Sequence, residues 1–341
     1  TGTVSVTQAL FDYSVFTGLK AAKSTREFYR INKELTDEQV IERVASAYYQ
    51  IYIQKQKLTI IDSTIKNTTK VRNIIKGQYD NGLAKKIDLD RTIVKLSNIV
   101  SQRQQIVSAV EQQENSLKFL IGMPMATKIE LPETNFEAPA VLLGDSPDMQ
   151  KRTEYQLIKQ QEELLTYERK SIVAGYYPTL SLAGNYGYQG QGREFPLGGK
   201  PEDGVYWSDF ATVGLNLRIP IFTGFATRSR VRQSDIKLKK IAADLEDTQL
   251  GLDLAYNNAK ARINNTLITI EAQKENVALA QDVLDNTRNN YQQGLTPLTD
   301  LLDAENALTD AKNSYSNSLL EYKLAEIQLI KSQGELKTLL N

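Results

Sequence analysis

The sequence predicts a mainly α chain with a small β part, built on long antiparallel coiled-coil helices, and three observations carry that prediction. Apolar residues recur at heptad spacing along several stretches. Proline is absent from residues 1–123 and between Pro220 and Pro297, so nothing there forces a helix to break. Two short segments instead alternate large and small residues with a period of two, which is the mark of a strand.

In chain order, a strand is expected near residues 3–11. A helix of roughly 95 Å, at 1.5 Å per residue, follows from about Gly18 to Asp80, with Val40, Val44, Ala47, Ile51, Leu58, Ile61, Ile65 and Ile75 along one seam. Thr36-x-x-Gln39 has the form of a capping box that would start a new helix. Nothing comparable interrupts the chain around Thr248, the matching place further on, so the helix is read as continuous. After a turn at Gly82, Leu89, Ile93, Leu96, Val100, Val107, Val110, Leu117 and Ile121 extend a return helix, which Gly122-Met123-Pro124 ends. Pro132, Pro139 and Pro147 punctuate a connector. Ser146-Pro147 offers an N-cap and a first-turn proline for a helix running to about Gly175.

Strands are then expected at 177–190 and 211–222. In the first, Leu180, Leu182, Tyr186 and Tyr188 alternate with Ser181, Ala183, Asn185, Gly187 and Gln189; in the second, Leu215 and Leu217 alternate with Asn216 and Arg218. The polar, Gly-rich stretch from Gly190 to Asp209 reads as a loop with Tyr206 and Trp207 at its far end. A second long helix leads to a turn at Gly294. The last helix repeats Leu301, Leu308, Tyr315, Tyr322, Leu329 and Leu336 seven apart.

Self-comparison supplies the organisation. Gln78-Tyr79-Asp80-Asn81-Gly82-Leu83 matches Asn290-Tyr291-Gln292-Gln293-Gly294-Leu295, and Asp88 falls on Asp300 at the same offset of 212. Val4-Ser5-Val6 with Leu10-Phe11 matches Leu215-Asn216-Leu217 with Ile221-Phe222 at an offset of 211. Two landmarks with preserved spacing imply a tandem duplication. Residues 1–122 are the first repeat, with its tip turn at 80–87, and 123–147 the connector. Residues 148–341 hold the second repeat with its tip turn at 292–298.

Composition excludes more than it assigns. Lys+Arg 41 balances Asp+Glu 41, which leaves no charge excess to draw the chain onto nucleic acid. The absence of His and Cys removes the commonest nucleophilic and metal-ligating groups. No catalytic set, metal site or cofactor site is expected; Glu162, Glu163 and Asp235 read as isolated helical acids. No apolar run reaches about eighteen residues and mean hydropathy is −0.39, so contact with a membrane would require a barrel. A strand with one apolar face either covers a soluble core or faces lipid across a watery lumen. Tyr186 and Tyr188 have the character of an interfacial girdle. At the turns, Gly82 and Gly294 suit a left-handed helix end. Leu83 and Leu295 are open either to a partner's grip or to a local contact.

Taken together, the sequence resembles the TolC-type outer membrane factors. The residues that carry the resemblance are Tyr177-Pro178-Thr179-Leu180-Ser181-Leu182, Pro220-Ile221-Phe222-Thr223-Gly224, and Tyr291-x-x-Gly294-Leu295-Thr296 leading to Leu301-Leu302-Asp303-Ala304-Glu305. Leu308, Ala311, Tyr315, Tyr322, Ala325 and Gly334 fit the family's last helix, and the likeness spans both repeats.

The resemblance implies a homotrimer in the outer membrane of a Gram-negative bacterium. Its helices would form an α-barrel tunnel, continued by a shared 12-stranded transmembrane β-barrel with four strands per protomer. With three strands visible, it implies a further strand and a signal peptide preceding Thr1. Asn185, Asn216 and Arg218 would face the lumen. Leu180, Leu182, Leu215, Leu217 and the girdle Tyr186 and Tyr188 would face outer-membrane lipid.

The implied function is an exit duct for efflux or type I secretion. The tips Gly82, Leu83, Gly294 and Leu295 would meet a periplasmic adaptor (membrane fusion) protein and, through it, an inner-membrane pump. Asp300 and Asp303 would line an acidic entrance, against the alternative that they are first-turn acids favoured by the helix dipole. Asp88 and Tyr291 would belong to the network that holds the entrance closed, although Lys85, Lys86 and Arg91 also give Asp88 a surface ion pair as an alternative. Thr296-Pro297 stands where the best-known member has an arginine, which loosens the expected gate. A soluble coiled-coil scaffold is the competing reading, but the Tyr-Pro-Thr-Leu-Ser-Leu strand has no place in a rod.

Overall fold

The computed structural model describes residues 1–131, 147–192 and 201–340. Strand β1 (Gly2–Phe11) leads into α1 (Tyr13–Asp80), which turns back as α2 (Lys86–Leu120). Helix α3 (Thr153–Ala174), strands β2 (Thr179–Gln191) and β3 (Tyr206–Arg218), and the second hairpin α4 (Ala226–Gln292) and α5 (Leu298–Gln333) follow. The fold is mainly helical with one small sheet. Helix lengths recur within one residue, 68 and 67 for α1 and α4, 35 and 36 for α2 and α5.

Helix α1 crosses Thr36–Gln39 unbroken. Three local expectations are corrected. The helix expected from Ser146-Pro147 begins later: Asp148 caps a 3₁₀ turn by accepting the Gln150 amide, and α3 starts at Thr153. Ser146, with Pro132 and Pro139, lies outside the described residues. Strand β3 also begins five residues before position 211, so Tyr206 to Asp209 belong to the sheet rather than to the loop. Residues 193–200 of that stretch lie outside the described residues. Its end comes at Arg218 rather than 222, because Pro220 has no amide to donate and Gly224 and Phe225 turn the chain with φ of 60° and 62°.

Contacts divide the chain into two units. One holds Thr1–Lys33 and Thr153–Gln249. Its sheet is antiparallel in the order β1-β2-β3. Among its helices, Arg169 pairs with Asp235 at 2.6 Å and Lys237 with Glu168 at 2.7 Å, while Tyr13 stacks on Tyr177.

The other unit holds Glu34–Arg152 and Leu250–Asn341 and contains two apolar clusters. Ile53, Tyr256, Ile263, Leu319, Tyr322 and Leu329 form one; Ile75, Leu284, Leu298, Leu301 and Leu308 form the other. The seven-residue seam lies here: Leu301, Leu308, Tyr322 and Leu329 of α5 are buried and Tyr315 is partly buried, while Leu336, expected on the same helix, is buried in a 3₁₀ turn after Gly334 ends α5 in the left-handed conformation. A strict heptad puts one stripe of a helix against its neighbours, and the packing follows that stripe.

Candidate functional site: an amphipathic sheet and two helical tips

Register decides what the sheet presents. Opposite residues in an antiparallel pair share a face. Leu180 opposes Leu217, Leu182 opposes Leu215, Gly184 opposes Val213, and Val4 and Val6 of β1 oppose Tyr186 and Gly184. All therefore lie on one side with Tyr188 and Trp207, whose rings stack at 5.3 Å. The other side carries Ser5, Ser181, Asn185, Thr212, Asn216 and Arg218, since Ser181 opposes Asn216, Asn185 opposes Thr212 and Ser5, and Arg218 opposes Thr179. The apolar side is open, with Val213 76% and Leu215 68% exposed. Large aromatic rings complete both faces over glycine. Phe210 lies where a Cβ on Gly187 would collide with it, and Trp207 where one on Gly190 would meet it at 2.8 Å.

The tips are built alike. The Gly82 amide donates to the Tyr79 carbonyl at 2.9 Å and the Leu83 amide to Gln78 at 2.8 Å. Gly294 donates to Tyr291 at 3.0 Å and Leu295 to Asn290 at 2.9 Å. These are the two bonds of a Schellman motif, and both glycines take φ of 74°, the left-handed conformation that disfavours a Cβ. Leu83 and Leu295 are 80% and 71% exposed, so within the protomer neither serves as a packing contact.

Asp300 and Asp303 are exposed in the first two turns of α5. Thr296 and Thr299 donate their hydroxyls to Asp300 at 3.0 and 3.3 Å. Thr296, in the place where the resemblance expected an arginine, thus holds the carboxylate as a neutral donor. Asp303 lines a cleft with Ile87, Arg91, Val94 and Lys95 of α2. Asp88, in the first turn of α2, lies 3.8 Å from Arg91. Burial, and then the negative charge of Asp88, push the Tyr291 phenol above its usual range. Tyr291 packs against the tip cluster beside Leu89 and Ala84.

Sequence reasoning missed Glu305 as more than a motif letter. It sits four residues after Leu301 and three before Leu308, a seam position held by an acid, and that spacing was the available signal. Val4 and Val6 were missed on the apolar face because pairing, not local pattern, puts them there, whereas Trp207, which the sequence offers with Tyr206 as a second girdle residue, lies on that face opposite Gly190.

An open two-faced sheet joined in one chain to long helical hairpins defines a class: outer-membrane channel chains. The outer membrane efflux protein family matches residues 149–335, and the chain belongs to it. Its place is the outer membrane of a Gram-negative bacterium. The outer membrane protein TolC of Vibrio cholerae is 22% identical over 340 residues, covering 98% of this chain and 76% of that protein. The alkaline protease secretion protein AprF of Pseudomonas aeruginosa is 22% identical over 347 residues, covering 96% and 68%. Among solved structures, the outer membrane protein VceC of Vibrio cholerae superposes with a TM-score of 0.79 at 18% identity, covering 97% of this chain and 79% of that one.

Proposed function

We propose that this chain is one protomer of a trimeric exit duct that carries substrates from a periplasmic adaptor and an inner-membrane pump to the exterior. The observation that carries the reading is the sheet register, which gathers Val4, Val6, Leu180, Leu182, Val213, Leu215 and Leu217 on one face and Ser5, Ser181, Asn185, Thr212, Asn216 and Arg218 on the other. Edges β1 and β3 have no partner among the described residues. In lipid an unpaired edge is prohibitive, and only closure into a barrel with further strands satisfies it. Copies of this chain supply those strands. The recurring helix lengths and tip motifs support a duplicated unit, and the exposed Leu83 and Leu295 are the points an adaptor would grip.

The periplasmic entrance, on this reading, is ringed by three copies of Asp300 and Asp303. Six carboxylates at a constriction attract cations at low ionic strength. Purified protein in planar bilayers is expected to conduct cations and to be blocked by polyvalent cations, and Asp300→Ala with Asp303→Ala removes the block. Unchanged block in the double variant would make these acids helix-end residues and nothing more.

A further inference from the structure

One acid is buried among the helices of the tip. Glu305 is 4% exposed, its Oε2 accepts the Thr68 hydroxyl at the long distance of 3.4 Å, and its Oε1 takes no hydrogen bond. Elements of both hairpins face it. From α1 come Thr68 and Lys70, from α2 Lys95, and from α4 Arg288 and Tyr291, with Lys312 about two turns on along α5. Glu305, Lys70, Arg288, Tyr291 and Lys312 border one cleft of about 620 Å³. Lys95 also faces Asp303 and Asp310, so its charge is shared among three acids. Arg288 pairs with Asp285 at 3.2 Å, and neither Arg288 nor Lys95 forms an ion pair with Glu305 among the described residues. An ionised carboxylate held here keeps an unsatisfied oxygen out of water, which is costly; it is relieved by a proton or by letting water in.

We propose that Glu305 is a positioning residue of the gate: its proton sets how tightly the α4–α5 hairpin packs on α1 and α2, and hence the width of the entrance that Asp300 and Asp303 line. This rests on the exit-duct reading above. Burial pushes the carboxyl above its usual range, against the opposing pull of Arg288, Thr68 and Lys95. The sign follows. The packed tip favours the protonated form, so its packing is fully supported below the ordinary carboxylate range and weakens as pH rises through the raised value. Lowering the pH tightens the tip and raising it loosens the tip, the reverse of what loss of an ion pair on protonation would give.

Glu305→Gln copies the protonated shape without a titratable group, and Glu305→Asp keeps the acid. In detergent, hydrogen exchange of the amides in residues 71–80 and 298–308, corrected for intrinsic rate, should be several-fold slower at pH 5 than at pH 7.5 in the natural protein and in Glu305→Asp. It should be slow at both in Glu305→Gln. In planar bilayers the open fraction should rise with pH in the natural protein and stay low and flat in Glu305→Gln. A Glu305→Gln tip that exchanges faster at both pH values, or that keeps the natural pH profile, overturns the proposal. A protein that does not conduct at all sinks the duct reading instead, and the exchange comparison still decides the role of Glu305.

Discussion

An arginine at Val213 is expected to stop the protein assembling in lipid, whereas an arginine at the adjacent Thr212 leaves assembly intact. The two positions differ by one residue and by one face. Val213 opposes Gly184 on the side of Leu182 and Leu215, and Thr212 opposes Asn185 on the polar side. A guanidinium facing the middle of the membrane costs about 2–4 kcal/mol, and the proposed trimer would bear it three times. On the polar side the same group meets water. The measurement is the yield of folded protein in vesicles for Val213→Arg, Thr212→Arg and the natural chain. Equal yields for the two variants would remove the assignment of faces.

The second large effect lies in the helical seam. Tyr322 is fully buried, at 0% exposure, among Ile263, Ala325 and Leu329. Tyr322→Ala removes a ring from a packed cluster and should cost about 3–5 kcal/mol, read as a shift in the denaturation midpoint of helical signal. Phe119→Ala, on a residue 75% exposed on α2, is the control and should stay within about 0.5 kcal/mol. Burial, and then Glu326, push the Tyr322 phenol up to about 12. The packed state is thus fully favoured below the ordinary tyrosine value near 10 and loses that advantage as pH rises toward 12. A Tyr322→Ala midpoint equal to the natural one would mean that the seam does not hold the hairpins together.

Much of this architecture was legible because it is local or periodic. Heptads write out long helices, and the recurrence of Tyr-x-x-Gly-Leu at 79–83 and 291–295 marks two tips whose hydrogen bonds match. What escaped was set by pairing across distance. Tyr206 to Asp209 look like loop, since Asp209 and the glycines before it are polar or permissive. They join the sheet because β2 lies alongside and Trp207 covers Gly190. Ile219 to Phe222 look like strand because they are apolar, yet Pro220 and the turn at Gly224 end the ladder. Glu305 was overlooked because a charge at a seam position declares itself only once the helices on its three sides are in place.

The two-faced sheet is measured most directly by the accessibility of nitroxide labels placed singly at residues 211–217 in protein reconstituted into lipid vesicles. The predicted pattern has a period of two. Labels at Ala211, Val213, Leu215 and Leu217 should be exposed to oxygen dissolved in lipid, and labels at Thr212, Gly214 and Asn216 to a water-soluble nickel chelate. Seven labels equally open to the nickel chelate would contradict the claim and leave the sheet in water.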